Sequence, residues 1–390
     1  MPLVVRDPAS LGLVFDHAGR RARFAGELSA AGADAAFLPI SSDLEYLTGL
    51  RRGVPNFGNV SQAHDWVTGC FLAPGRDPVF VVTRMHAEFD MGGGSPGELV
   101  VVAEADDGEH VFDRVASSIG PVRTLAVGAR LWAETVMQLQ RTFRSPRLLS
   151  AEPLVNRLRR VKSADELEVM TRAAAIADAT MAAVQGRVLP GVTMDELAEE
   201  VEHVMRQAGS LAPSFTTHVF TGGLADRLES RATSGRRGLR SGEAVLFDFG
   251  AVVDGYCSDF GRTVFCGDPP EEYRRAHRVM LDAQEAGRRA ARPGVPCAEV
   301  NRACRAPIEE AGYGPYFRHR MGHGIGLDVH ERPFLSVEDR TPLEAGMTFT
   351  DEPSIIVPGR LGVRIEDVVV CEPVGGRKLN AYPSALVATG

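Results

Sequence analysis

The sequence predicts two domains: an α/β domain, then an α+β domain whose halves repeat one motif about a pseudo-twofold axis. Three observations carry this. At 390 residues the chain exceeds one typical domain and favours about two. Before about residue 155, short β-prone runs alternate with helical stretches; after it, long helical patterns bracket strand pairs. Finally, "VLFDFGAVVDGYCSDFGRTVF" (245–265) and "GMTFTDEPSIIVPGRLGVRIEDVVV" (346–370) share one form, two β-prone runs around a glycine turn with an acid on each side.

In the first domain, "AAFLPI" (35–40), "WVTGCFLA" (66–73), "PVFVVT" (78–83), "ELVVVA" (98–103) and "TLAVGA" (124–129) read as strands, because β-branched and aromatic residues favour a half-buried pleated surface. The pattern changes across "SPRLLSAEPLVNRLRRVKS" (145–163), which sets domains of 1–155 and 156–390. Ser163 with Glu166, and Thr193 with Glu196, have capping-box spacing and start helices at 164 and 194. Helices are expected over 164–186, 193–208, 270–291 and 297–311, with Pro307 kinking the last or ending it early.

Composition excludes several classes of function. A hydrophobic content of 44% with 24% charged residues is ordinary for a globular chain. A net charge of −8 and a pI near 5.8 speak against a nucleic-acid partner, and Arg236, Arg237 and Arg240 read as solvated turn residues. Six cysteines without C-x-x-C spacing read as reduced thiols, which points to the cytoplasm. No run approaches 18 apolar residues, and "MPLVVRDPASLGLVFDHAGR" lacks the apolar stretch and cleavage site of an export signal, so no membrane association is expected.

The chemistry sits in the repeated motif. Asp254-Gly255 suits a type I′ turn, since both central residues need positive φ. Residue 253 then pairs with 256, Asp259 faces Gly250, and Asp248 lies on the same face as Gly250, a diagonal neighbour of Asp259 at roughly 7–8 Å between Cα atoms. Two buried carboxylates at that range demand a cation or a large pKa rise; the alternative is a pair of strand-end acids facing water. Further donors follow. "RHRMGHGIGLDVHERP" (318–333) places His323 between glycines, with His330 seven residues later, and the second motif carries Glu352 and Glu366. Four carboxylates and one imidazole suit manganese, cobalt, iron or zinc, and so many carboxylates suggest two ions about 3.5–4 Å apart with bridging ligands.

The order Asp, eleven residues, Asp, then His in "GHGIGL", Glu in "FTDEP" and Glu in "VRIED" resembles the metallopeptidase family of Xaa-Pro dipeptidases and Xaa-Pro aminopeptidases, with its creatinase or pita-bread fold. "RRARFAGELSAAGADAAFLPISSDLEYLTGL" is similar to the opening of the creatinase-type N-terminal domain, and "LRRVKSADELEVMTRAAAIADATM" to the first helix of the catalytic domain. The resemblance implies Asp248, Asp259, His323, Glu352 and Glu366 as ligands of two divalent ions, manganese first, with cobalt, zinc or iron as alternatives. It implies a shared water whose pKa falls toward neutrality, Glu352 as the group that moves its proton, and His330 beside the scissile amide. Glu331 is read as a neighbour that orients or screens.

Departures from the family pattern bear on substrate. Ser230-Arg231 stands where relatives carry Pro-His, 17 residues before the first Asp ligand, and His218 in "SFTTHVFTGG" is a candidate replacement. Phe334 stands where many dipeptidases carry an Arg that grips the substrate carboxylate, with Arg332 close by; "EPGIY" of relatives becomes "EPSII", with Ser354 and Ile356. His218, Arg231, Arg332 and Arg364 are therefore the candidate substrate-binding residues. Hydrolysis of an Xaa-Pro peptide is the leading expectation. Cleavage of a small non-peptide C–N bond, as in creatinase or ectoine hydrolase, is the alternative. A binding-only relative would have lost ligands, and methionine aminopeptidases lack a first domain of this size. The resemblance also implies a homodimer, with "VPNFGNVSQAHDW" (54–66), carrying Phe57, His64 and Trp66, as an element at the partner's site.

Overall fold

The computed structural model describes residues 13, 15–52, 64–89, 91, 95, 97–222 and 235–390. The chain forms two compact units that meet between Arg159 and Arg160, so the boundary expected near residue 155 falls inside the helix Glu152–Arg159.

The first unit is built on a six-stranded sheet. Its strands are β1 (Ala35–Pro39), β2 (Gly69–Leu72), β3 (Val79–Thr83), β4 (Glu98–Val102), β5 (Thr124–Val127) and β6 (Arg147–Ser150), in the order β4-β3-β2-β1-β5-β6. β2 runs antiparallel to β1 and β3, while β1, β5 and β6 are mutually parallel. The buried rings of Phe37, Phe71 and Phe112 form its core, with centroids 4.7–5.6 Å apart. Trp66 packs edge-on against Phe112, so within this unit it serves packing; Phe57 lies outside the described residues. β6 was not expected: in "RLLS" only two apolar residues stand between charged and polar neighbours, and pairing with β5 supplies what the pattern does not.

In the second unit the two capping boxes form as read, opening helices Ala164–Val184 and Met194–Gln207. Helices Glu271–Ala290 and Cys297–Glu310 cover a five-stranded antiparallel sheet (331–335, 322–324, 348–351, 367–372, 375–378), and Met280, Cys304, Met321 and Phe349 fill the space between. Pro307 does not end its helix early, because only one backbone hydrogen bond is lost and Ile308 is held in the core beyond it. A four-stranded sheet runs in the order 387–389, 260–266, 243–249, 218–221. All six cysteines are buried and free of disulfides. Among the described residues no helix is long and apolar enough to cross a membrane.

Candidate metal centre

Two hairpins build the site; Asp259, Glu352 and Glu366 sit where the ladders are interrupted, while Asp248 is the ladder residue next to the first gap. In the first, Asp254 (φ 51°) and Gly255 (φ 82°) both take the left-handed conformation of a type I′ turn. Val253 pairs with Tyr256, and after a gap Phe249 pairs with Phe260 and Asp248 with Gly261. The register is unchanged across the gap, so Asp259 faces Gly250 and Asp248 is its diagonal neighbour. In the second hairpin, pairs Asp351–Asp367 and Ser354–Arg364 share one register, which sets Glu352 opposite Glu366. Gly261 and Glu366 join the hairpins through reciprocal backbone hydrogen bonds of 3.2 and 2.9 Å. A side chain at 261 would put its Cβ 2.8 Å from Glu366 Oε2, so this approach requires glycine.

Asp259, His323 and Glu366 each present a ligand atom within 4.8 Å of the others. His323 Nε2 lies 3.5 Å from Asp259 Oδ2 and 3.4 Å from Glu352 Oε1. Its Nδ1 donates to the Gly324 carbonyl at 3.1 Å, which leaves the Nε2 lone pair aimed at the acids. Thr350 ties the two elements together, its hydroxyl accepting from the His323 backbone N–H at 3.0 Å and donating to Glu352 Oε1 at 3.2 Å. Asp248 is turned toward Arg364, whose guanidinium pairs with it and stands 3.8 Å from Glu366 Oε2.

The cluster is short of positive charge. Burial, then the charges of Asp248 and Glu352, push the Asp259 carboxyl well above its usual range. Burial and Asp259 do the same to Glu366, and burial lifts Glu352 to about 7 despite the opposing Arg364. Burial and the neighbouring His330 drive His323 down to about 3, so its imidazole is neutral. Asp259 Oδ1 and Glu366 Oε2 are buried without a hydrogen-bond partner. A neutral imidazole with a free lone pair beside orphaned carboxylate oxygens fits a divalent cation.

The other expected residues fall in different places. The His330 ring is 4.1 Å from that of His323; the residue is exposed, and partial burial of the ring together with Arg320 lowers its pKa. His218 is the cross-strand partner of Asp248, which brings it to the site's edge. Arg332 is exposed, 5.9 Å from the Phe334 ring. Arg231 lies outside the described residues. Arg364, a candidate for substrate binding, is buried among the acids and paired with Asp248. Glu331 is committed to Lys162 in an ion pair of 3.1 Å with both side chains almost wholly buried, which fits its reading as a neighbour.

Sequence reasoning missed Thr350, His319 and Arg320. His319 Nε2 meets the Ser354 hydroxyl at 2.5 Å, and Arg320 lies over Phe334. Of these only the His319–Ser354 pair had a signal, in the departure at Ser354.

Fold and site together define a metallopeptidase, whose chemistry implies divalent metal ions. Residues 168–373 match Metallopeptidase family M24, residues 20–161 match the Creatinase/Prolidase N-terminal domain, and the chain belongs to the M24 family with its pita-bread fold. It is 30% identical over 367 residues to the "Putative dipeptidase YkvY" of Bacillus subtilis, spanning 94% of this chain and 98% of that one. Among solved structures it resembles a recombinant prolidase from Thermococcus sibiricus (TM-score 0.86, 28% identity, 96% of this chain and 100% of that). It also resembles Dipeptidase PepE from Mycobacterium ulcerans (TM-score 0.79, 32% identity, 95% and 97%).

Proposed function

We propose that this metallopeptidase is a dipeptidase acting on Xaa-Pro substrates, with two divalent ions held by Asp248, Asp259, His323, Glu352 and Glu366. The observation that carries the reading is the charge balance of the cluster. Four carboxylates surround one neutral imidazole, and Arg364 is the cation paired within them, so a single divalent ion leaves negative charge unmatched when all four ionise. The similarity to prolidases and dipeptidases supports the substrate class. The ions would supply Lewis-acid polarisation of the scissile carbonyl and activation of water near neutral pH.

The chain's own residues do the rest. Glu352, fixed by Thr350, accepts a proton from the attacking water and delivers it to the leaving nitrogen. His330, with its ring against His323, donates to the carbonyl oxygen as negative charge develops there, a contribution of about 3 kcal/mol in comparable sites. Arg364 holds Asp248 in place and offsets charge when substrate is absent.

The test is metal content together with a substrate panel of Xaa-Pro dipeptides, Xaa-Pro tripeptides, creatine and ectoine. The expected result is about two bound ions per chain and turnover of dipeptides in preference to tripeptides. Retention of no ion after manganese or cobalt loading, or turnover of creatine or ectoine alone, would overturn it.

A further inference from the structure

His330 is placed by the backbone that carries it. Among the described residues its imidazole makes no hydrogen bond, and its ring contact is with His323 at 4.1 Å. The turn beneath it, 325–330, has no regular structure between the strands Gly322–Gly324 and Glu331–Leu335. The first half of that turn is tied to neighbouring strands. The Ile325 N–H donates to the Thr348 carbonyl at 3.2 Å, and the Cys257 N–H donates to the Gly326 carbonyl at 2.7 Å. The second half is tied by a side chain: Glu331 Oε1 accepts from the Asp328 N–H at 3.1 Å, closing the chain around Val329 and His330. Glu331 is gripped in turn by Lys162, whose Nζ lies 3.1 Å from Oε2, with side-chain exposures of 2% and 3%. Lys162 stands two residues after Arg160, at the opening of the second unit, and its own N–H donates to the Gly346 carbonyl at 2.9 Å. The pair packs against the turn itself, since a Cβ at Gly326 would stand 2.7 Å from Glu331 Oε1 and 2.9 Å from Lys162 Cε.

Replacing a buried ion pair by apolar side chains of similar volume is often neutral or stabilising, because the desolvation of both charges offsets their attraction. Stability is therefore a weak reason for this one. What the pair supplies and apolar residues do not is direction: Lys162 fixes one carboxylate oxygen and so aims the other at the Asp328 N–H. We infer that Lys162 is a positioning residue for the hydrolysis, setting through Glu331 the place from which His330 donates to the scissile carbonyl oxygen. This rests on the role given to His330 above and names the residue that orients it.

The experiment replaces the pair by Lys162→Met with Glu331→Leu, in the wild-type and His330→Ala backgrounds, and assays the four manganese-loaded proteins on alanyl-proline. The paired variant should unfold at the wild-type temperature and retain the wild-type metal content, which reports an intact fold and ligand set. Its kcat should fall about 10- to 100-fold at unchanged KM, the scale of a group displaced by about 1 Å. In the His330→Ala background the same two substitutions should cost less than about 2-fold, since no imidazole remains to be positioned. Lys162→Met with Glu331→Gln, which keeps an acceptor for Asp328 but loses its aim, should show the same dependence on His330 at smaller size, and it carries the test if leucine unfolds the unit. An equal loss in both backgrounds, a loss carried by KM or by metal content, or full activity in the paired variant would each overturn the inference. If wild type leaves alanyl-proline intact, the dipeptidase reading fails by itself and hydrogen exchange judges Lys162. Protection of the 328–330 amides that persists in the paired variant then overturns the anchor, and protection lost there alone upholds it.

Discussion

Removing the metal should turn the active site into a pH-dependent weakness of the catalytic unit. The perturbation is chelation followed by a rise from pH 6.5 to 8.5. Glu352 has its pKa raised from 4.5 to about 7, so the metal-free folded state binds more protons than the unfolded chain between those values. The stability this group contributes is present at low pH and is lost as pH rises through the folded pKa. His323 has the opposite sign. Its pKa falls from 6.5 to about 3, so its contribution is present above 6.5 and lost as pH falls. The two oppose each other below pH 6.5. Above it the folded imidazole is neutral while the unfolded one, half protonated at pH 6.5, still loses its proton, so His323 offsets part of the carboxyls' loss up to about pH 7.5. Between pH 6.5 and 8.5 Glu352 alone accounts for about 1 kcal/mol of lost stability, and Asp259 and Glu366, displaced in the same direction, add to it. Set against the roughly 0.4 kcal/mol that His323 regains over the same range, Glu352 leaves a net fall in Tm of about 1–2 °C for a unit of this size, which Asp259 and Glu366 deepen. Scanning calorimetry of chelated protein should show the fall, and saturating manganese should abolish it by holding the carboxylates ionised. A metal-free transition that is flat or rises over this range would refute the claim that the cluster lacks positive charge.

Asp259→Asn removes one of the mutually repelling charges while keeping the shape; it should abolish metal retention and hydrolysis yet raise the Tm of the chelated protein, as metal analysis and calorimetry would show. Gly261→Ala forces Cβ to within 2.8 Å of Glu366 Oε2, and the displaced ligand should lower the metal-to-protein ratio at a cost of about 1–3 kcal/mol in stability; an unchanged ratio would break the link between backbone approach and ligand position. Thr350→Val leaves the His323 N–H unpaired and should cost about 1–3 kcal/mol by denaturant unfolding, with Thr350→Ser recovering most of it. Lys162→Met strands the buried Glu331 and should cost about 3–5 kcal/mol, largely recovered in the Lys162→Met, Glu331→Gln double variant.

The hairpin of Asp248 and Asp259 was legible because its signals are local. An Asp-Gly turn fixes the register, and period-two alternation then assigns faces without knowledge of the rest of the chain. The capping boxes were legible for the same reason. Thr350 and Arg320 were not, since their roles depend on which strand lies opposite and how a long side chain folds over a ring. The contact of Arg364 was illegible for a related reason: a cation two residues from Glu366 reads equally as a substrate clamp or a counter-charge, and its pairing with Asp248 depends on the strand opposite. β6 was missed because a short, half-exposed edge strand takes its stability from its neighbour rather than from its own pattern.

Behind the ligands lies a second charged layer. Asp351 and Asp367 face each other across the ladder one residue beyond Glu352 and Glu366, and both are fully buried. Asp367 takes the available donors: Arg262 at 2.6 Å, Lys378 at 2.6 Å and Gln284 at 3.0 Å. Asp351 has no hydrogen-bond partner on either oxygen, and burial with the facing Asp367 pushes its carboxyl well above the ordinary range. A neutral Asp351 adds no charge behind Glu352, while Lys378 and Arg262 spend theirs on Asp367. Within the hairpin pair, Arg364 is then the cation in contact with the ligand carboxylates, and the remaining negative charge is left for metal ions to match. On this view Asp351→Asn should be nearly silent in metal content, whereas Asp367→Asn releases two cations toward the site and should weaken metal binding without touching a ligand. Equal metal affinity in the two variants, measured by competition with a chromophoric chelator, would show that the layer is structural scaffolding with no influence on the ions.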